Sequence, residues 1–157
     1  MKIKSSKPEN LNGKGLKIAI ILSRFNDSIG DRLFENTIKT LKECSVDKVE
    51  VVRVPGALEI PLAAQEVAGK NHYDAIIALG VVIKGETYHF ELVCENSHAG
   101  ILDTSLKTRT PIIFGVITAF TPDQALQRCD RGTDYAHSAI EMALLMKELR
   151  QNKKDVE

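Results

Sequence analysis

Apolar residues along the chain fall into two alternating patterns. Residues 16–22, Leu-Lys-Ile-Ala-Ile-Ile-Leu, are almost continuously apolar and rich in β-branched side chains. Residues 49–54, 74–80 and 111–117 form three more short runs of this kind, and the third strand continues through Val81, Val82 and Ile83. Runs of that length and content predict strands buried on both faces. Between them the apolar positions recur at helical spacing. Ile29, Leu33, Ile38 and Leu41 make one such stripe, with Asp27 or Ser28 placed to cap it. Ile60, Leu62, Ala63, Val67 and Ala68 make another, and Pro61 is tolerated there because first-turn N–H groups lack intrahelical partners.

Gly85-Glu86-Thr87 is expected to open a long helix that runs to about Lys107. Thr121-Pro122-Asp123-Gln124 reads as a helix start, with Thr as cap, Pro at the first position and Gln three residues after the cap. That helix is expected to carry Arg128. A last amphipathic helix is expected over residues 134–150, with Ile140, Leu144, Leu145 and Leu149 on its apolar side. Strands alternating with helices predict parallel strands and a three-layer αβα sandwich on a four-stranded sheet, of the flavodoxin-like kind. Residues 1–15 carry Lys, Ser, Pro, Asn and Gly and read as an N-terminal arm, leaving 16–157 as one domain. Ligands of such folds bind beyond the C-terminal strand ends. The chemistry is therefore sought just after Leu22, Val54, Val82 and Ile117.

Composition narrows the class. Lys and Arg together number 21 and so do Asp and Glu, so the formal net charge is zero, which argues against a nucleic-acid partner. The 3 cysteines, Cys44, Cys94 and Cys129, are widely spaced with no C-x-x-C pair. They suit a reducing cytoplasm better than a disulfide framework or a zinc site. No segment approaches membrane-spanning length or resembles a signal peptide, so no membrane partner is expected. His72, His89, His98 and His137 show no metal-ligand spacing, and no metal site is expected.

Three strand-end segments carry candidate chemistry. Phe25 after the first strand is either a lid on the core or a stacking platform for a planar ring. Asn26 beside it is either a turn residue or a reader of ring donors and acceptors. The segment Pro55-Gly56-Ala57-Leu58-Glu59-Ile60-Pro61 is a stiff turn into a helix, or a binding loop whose backbone and Glu59 carboxylate bond ligand hydroxyls. After the third strand, Lys84-Gly85-Glu86-Thr87-Tyr88-His89 offers free N–H groups at a helix start, an anion site rather than a Walker loop. There the Glu86 side chain would have to point away. His89 sits close enough to that site to be a general acid and base. Arg128 matters only if folding or assembly brings it to the anion site, where it could fork onto a phosphate.

Taken together these segments resemble the lumazine synthase family, in order and spacing. The resemblance rests on Phe25-Asn26, on Pro55-Gly56-Ala57-x-Glu59-Ile60-Pro61, and on Gly80-x-Val82-Ile83-Lys84-Gly85-x-Thr87-x-His89-Phe90. Phe114-Gly115-Val116-Ile117-Thr118 and Gln124-Ala125-Leu126-x-Arg128 also match, so the likeness spans residues 16–149. Lys84 stands where many members have arginine, and Gln127 where many have Glu. Gly132-Thr133-Asp134-Tyr135-Ala136-His137 replaces the Gly-Asn-Lys-Gly segment of many members.

The resemblance implies an enzyme of riboflavin biosynthesis, a transferase that joins 5-amino-6-(D-ribitylamino)uracil to 3,4-dihydroxy-2-butanone 4-phosphate without a cofactor. It implies that Phe25 stacks on the pyrimidine and that Gly56, Ala57, Leu58 and Glu59 hold the ribityl chain, with Asn26 beside them. Val81, Val82 and Ile83 would meet the ring edge through the backbone. Gly85, Glu86 and Thr87 would bind the phosphate, Arg128 would complete that site, and His89 would move protons. Phe114 would reach a neighbouring subunit's pocket in a homopentamer, which some members assemble further into icosahedral shells. The alternatives are a non-catalytic lumazine or flavin carrier, or a shell-forming member. A receiver-type signalling domain would need acidic residues after strand one and an Asp ending strand three. The chain has Ser23-Arg24-Phe25 and Leu79-Gly80 there.

Overall fold

A computed structural model describes residues 11–151. Among these residues four strands form one parallel sheet: β1 (Lys17–Ser23), β2 (Lys48–Val54), β3 (Ala75–Ile83) and β4 (Ile112–Ala119). Their order is β2-β1-β3-β4, so the chain reverses its direction of travel between β1 and β3. Five helices lie between and after them: α1 (Asp27–Glu43), α2 (Ile60–Gly69), α3 (His89–Thr108), α4 (Pro122–Leu126) and α5 (Arg131–Gln151). The αβα sandwich expected from the alternating pattern is the observed architecture.

The central strands feed two cores at once, which is why their sequences are apolar without alternation. Ile18, Ile20, Leu22, Ile77 and Leu79 face α1 and α5, meeting Leu33, Leu41, Ala136 and Ile140. Ala19, Ile21, Ile76 and Ala78 face α2 and α3, meeting Ile60, Ala64, Val67 and Ile101. β2 is an edge strand, and its outward Glu50, Val51 and Arg53 are correspondingly exposed.

Several local expectations are corrected. α1 is not capped by Asp27 or Ser28. Its cap is Asn26, held in the left-handed region at φ 57° with no side-chain cap bond, and Asp27 is already helical. α3 begins at His89, not at Gly85, because no side chain caps it earlier and residues 84–88 stay irregular. α4 has only five residues, capped by the Thr121 side chain as expected, and ends before Arg128. α5 begins at Arg131, three residues earlier than the apolar stripe suggested. Of the expected arm, residues 1–10 lie outside the described residues. Leu11 and Gly13 are buried, and the Gly13 N–H donates to the Cys44 carbonyl at 2.7 Å.

Candidate functional site

The ends of β1, β2 and β3 converge on the sheet's switch point, where α/β folds bind ligands. A cleft of about 360 Å³ opens there, on the side of the sheet covered by α2 and α3. Its first wall is the turn after β1. Main-chain bonds lace that turn to the next strand end: the Arg24 N–H donates to Val54 at 2.9 Å and the Phe25 N–H to Pro55 at 3.2 Å. The Phe25 ring is left 71% exposed, so it does not act as a lid on the core. Asn26 joins this wall to the third strand, its side-chain amide donating to the Val81 carbonyl at 2.9 Å.

The second wall is the segment after β2, a single 3₁₀ turn at Ala57–Glu59 leading straight into α2. Gly56 is required by close approach. A Cβ built there would lie 2.9 Å from Glu59 Oε2 and 3.4 Å from Phe25 Cδ2. Its absence lets the ring and the carboxylate share one corner of the cleft. Ala57 is buried beneath this corner, and Leu58 and Glu59 are exposed.

The third wall is the end of β3 and the loop beyond it. Val81, Val82, Ile83, Gly85, Thr87 and His89 all line the cleft. Residues 84–88 are exposed and irregular, so their N–H groups are not consumed by a helix that begins only at His89. The His89 N–H points back to Thr87 Oγ1 at 3.4 Å. Glu86 is exposed and does not line the cleft. At the loop's base the hydrogen bond from Lys84 holds the Glu91 carboxyl below the usual carboxylate range.

Besides Glu86, two expected site residues do not line this cleft. Phe114 sits on β4 beside Ala78, with His98 edge-on to its ring at 5.0 Å between centroids. Arg128 lies past α4, exposed, with Nη1 donating to the Gln124 carbonyl at 2.7 Å. Burial pushes the thiols of Cys44, Cys94 and Cys129 up, the opposite of what a nucleophilic thiolate needs. Among the described residues no three His, Cys, Asp or Glu side chains gather as a metal site would require.

The sequence model of the 6,7-dimethyl-8-ribityllumazine synthase family matches residues 15–147. The chain belongs to that family. Relatives named 6,7-dimethyl-8-ribityllumazine synthase agree with it over most of their length. The one from Thermococcus kodakarensis is 43% identical over 143 residues, covering 88% of this chain and 92% of the relative. The one from Pyrococcus furiosus is 44% identical over 144 residues, 89% and 91% of the two chains. That from Burkholderia mallei is 48% identical over 151 residues, 94% and 87% of the two chains.

Within this lumazine synthase fold the cleft has two lining residues beyond those the resemblance implies as ligand contacts. Phe90 and Val93 close the cleft from α3. In the helix that starts at His89, residues 89, 90 and 93 share one face of the first turns, Val93 lying three residues after Phe90 and four after His89.

Proposed function

We propose that the chain condenses 5-amino-6-(D-ribitylamino)uracil with 3,4-dihydroxy-2-butanone 4-phosphate, giving 6,7-dimethyl-8-ribityllumazine, phosphate and water. The observation that carries this reading is the convergence of Phe25, the Gly56–Glu59 turn and the Gly85–His89 segment on one cleft, in a chain of this family. An exposed aromatic face offers a stack for the pyrimidine. The Glu59 carboxylate, in the same corner of the cleft, is suited to accept from ribityl hydroxyls. The loop at Gly85–Thr87 offers N–H donors to a phosphate.

The chemistry asks for few parts. The ring amine adds to the ketone and expels one water to leave an imine. A proton leaves the adjacent carbon as the phosphate departs with its electron pair. After tautomerisation the ribityl-bearing nitrogen attacks the remaining carbonyl, and a second water leaves as the ring closes. Holding both partners in one cleft supplies much of the rate. Donors aimed at the departing phosphate stabilise its charge, and His89 is the imidazole placed to carry protons between steps.

We assign Arg128 and Phe114 to the cleft of an adjacent copy, because neither lines the cleft of its own chain. A homopentameric ring would then share each site between subunits, and further assembly into a shell would leave that sharing unchanged. Leu62 on α2 and Leu102 and Leu106 on α3 are at least half exposed, which favours an apolar contact between copies. Three free thiols favour a cytoplasmic location. Among the described residues no helix is long and apolar enough to cross a membrane.

The test is to mix both substrates with the purified protein and follow the fluorescent lumazine and released phosphate together. Equal amounts of the two products, at a rate proportional to protein, are expected. Tight pyrimidine binding with no product would identify a carrier instead.

A further inference from the structure

The loop after β3 is fastened by a residue outside the cleft-lining set. Lys84 donates its N–H to the Ala119 carbonyl at 2.9 Å, fixing the start of the loop to the end of β4. Its ammonium pairs with Glu91 Oε1 on the first turn of α3. The same ammonium stands 5.6 Å from the Phe90 ring centroid and 5.7 Å from that of Phe120. The two rings are 6.2 Å apart and tilted by 43°. Rings so placed attract the cation and limit its freedom to swing away. Phe90 is also a wall of the cleft, next to His89.

We propose that Lys84 is a positioning residue whose pair with Glu91 clamps the Gly85–Tyr88 loop, rather than a ligand of the phosphate. This rests on the function proposed above. Lys84 and Glu91 bracket the loop, so the pair closes a ring of chain around Gly85, Glu86 and Thr87 and draws His89 into register with them. The ammonium is already engaged by a carboxylate and two rings, and is not free to follow an anion. The pair is partly solvated, with side chains 42% and 29% exposed, so it adds little to overall stability. Its effect is on loop geometry, where small displacements of substrate-positioning groups change rates strongly.

The two roles for Lys84 predict opposite signs for Glu91→Gln. If Lys84 bound phosphate, Glu91 would compete with the substrate, and removing its charge would lower KM for the phosphorylated ketone. As a clamp partner, Glu91→Gln should raise that KM by about tenfold, and Lys84→Met should do the same, with the pyrimidine KM changed less than about twofold. Lys84→Arg, which preserves the pair, should stay within about threefold of the parent. The double variant should be no worse than the worse single, because both remove one interaction. Should Lys84→Met fail to fold, Glu91→Asp shortens the reach while keeping the charge, and the same rise in KM is expected.

Calorimetric titration of inorganic phosphate into the same variants should give the same ordering without turnover. A full-length chain that makes no lumazine would therefore overturn the functional reading while leaving the clamp decidable. A lowered KM or tighter phosphate binding in Glu91→Gln, parallel rises in both KM values, or failure of Lys84→Arg to rescue would each overturn the clamp.

Discussion

The side-chain amide of Asn26 donates to the main-chain carbonyl of Val81 across the switch point of the sheet, at 2.9 Å. Asn26 holds φ 57° at the head of α1, a conformation that Asn tolerates better than most residues. One residue thus starts α1 and ties the Phe25 turn to β3, the strand that leads to the Gly85–Thr87 loop. This separates two costs. Asn26→Gly loses the bond alone and should cost about 0.5–1.5 kcal/mol. Asn26→Ala also strains the backbone, adding about 1–2 kcal/mol. Urea unfolding at matched protein concentration measures both. An alanine variant as stable as the glycine variant would mean that the positive φ carries no cost here.

Phe25→Ala should leave stability nearly unchanged, since the ring is already 71% exposed. It should weaken pyrimidine binding by about 0.5–1.5 kcal/mol through the lost stack, with the phosphorylated ketone little affected. Separate KM values for the two substrates check this. Equal weakening of both would point to collapse of the turn instead.

Gly56→Ala should act on the ribityl contacts. Its new methyl group would meet the Glu59 carboxylate before the Phe25 ring, and the flexible Glu59 side chain is the part that can yield. Pyrimidine KM should rise by about three- to tenfold, the scale of one misplaced hydrogen bond, with the unfolding midpoint preserved. An unchanged KM would remove the Glu59 carboxylate from substrate binding.

His89→Ala should slow turnover by about 10–10⁴-fold, the range for a lost proton-transfer group together with its binding contacts. The residue is exposed at the first position of α3, so the fold should survive, which circular dichroism would confirm. A folded variant with the parent's rate would exclude His89 from the mechanism.

Mixing His89→Ala with Arg128→Ala tests the shared site. If the two residues meet across a subunit boundary, co-refolding in equal amounts should restore roughly a quarter of the sites by random pairing around a ring. Native mass measurement must show mixed rings. Mixed rings without activity would mean that the residues act from one subunit or do not share a site.

The fold was readable because its central strands announce themselves. β1 and β3 are buried on both faces, and a doubly covered parallel strand needs such near-continuous apolar sequences. Helix starts were less readable. At Thr121 the cap is local chemistry and was placed correctly, whereas α3 starts at His89 with no capping side chain to mark it. The cleft itself was legible as three strand-end segments, because each carries its chemistry within a few consecutive residues. The Lys84 box was not, since Phe120 reaches it from the far end of β4 and no local pattern connects the two. Whether Arg128 completes the cleft is equally invisible in the chain alone, as its place would depend on a second copy.

The chain contains no tryptophan, so Phe25→Trp would install a single fluorescent reporter at the face proposed to hold the pyrimidine. Titration with 5-amino-6-(D-ribitylamino)uracil should quench that tryptophan in a saturable way, one ligand per chain, at the concentration that half-saturates lumazine formation. Turnover that persists in this variant while its fluorescence ignores the pyrimidine would place the reaction somewhere other than this cleft.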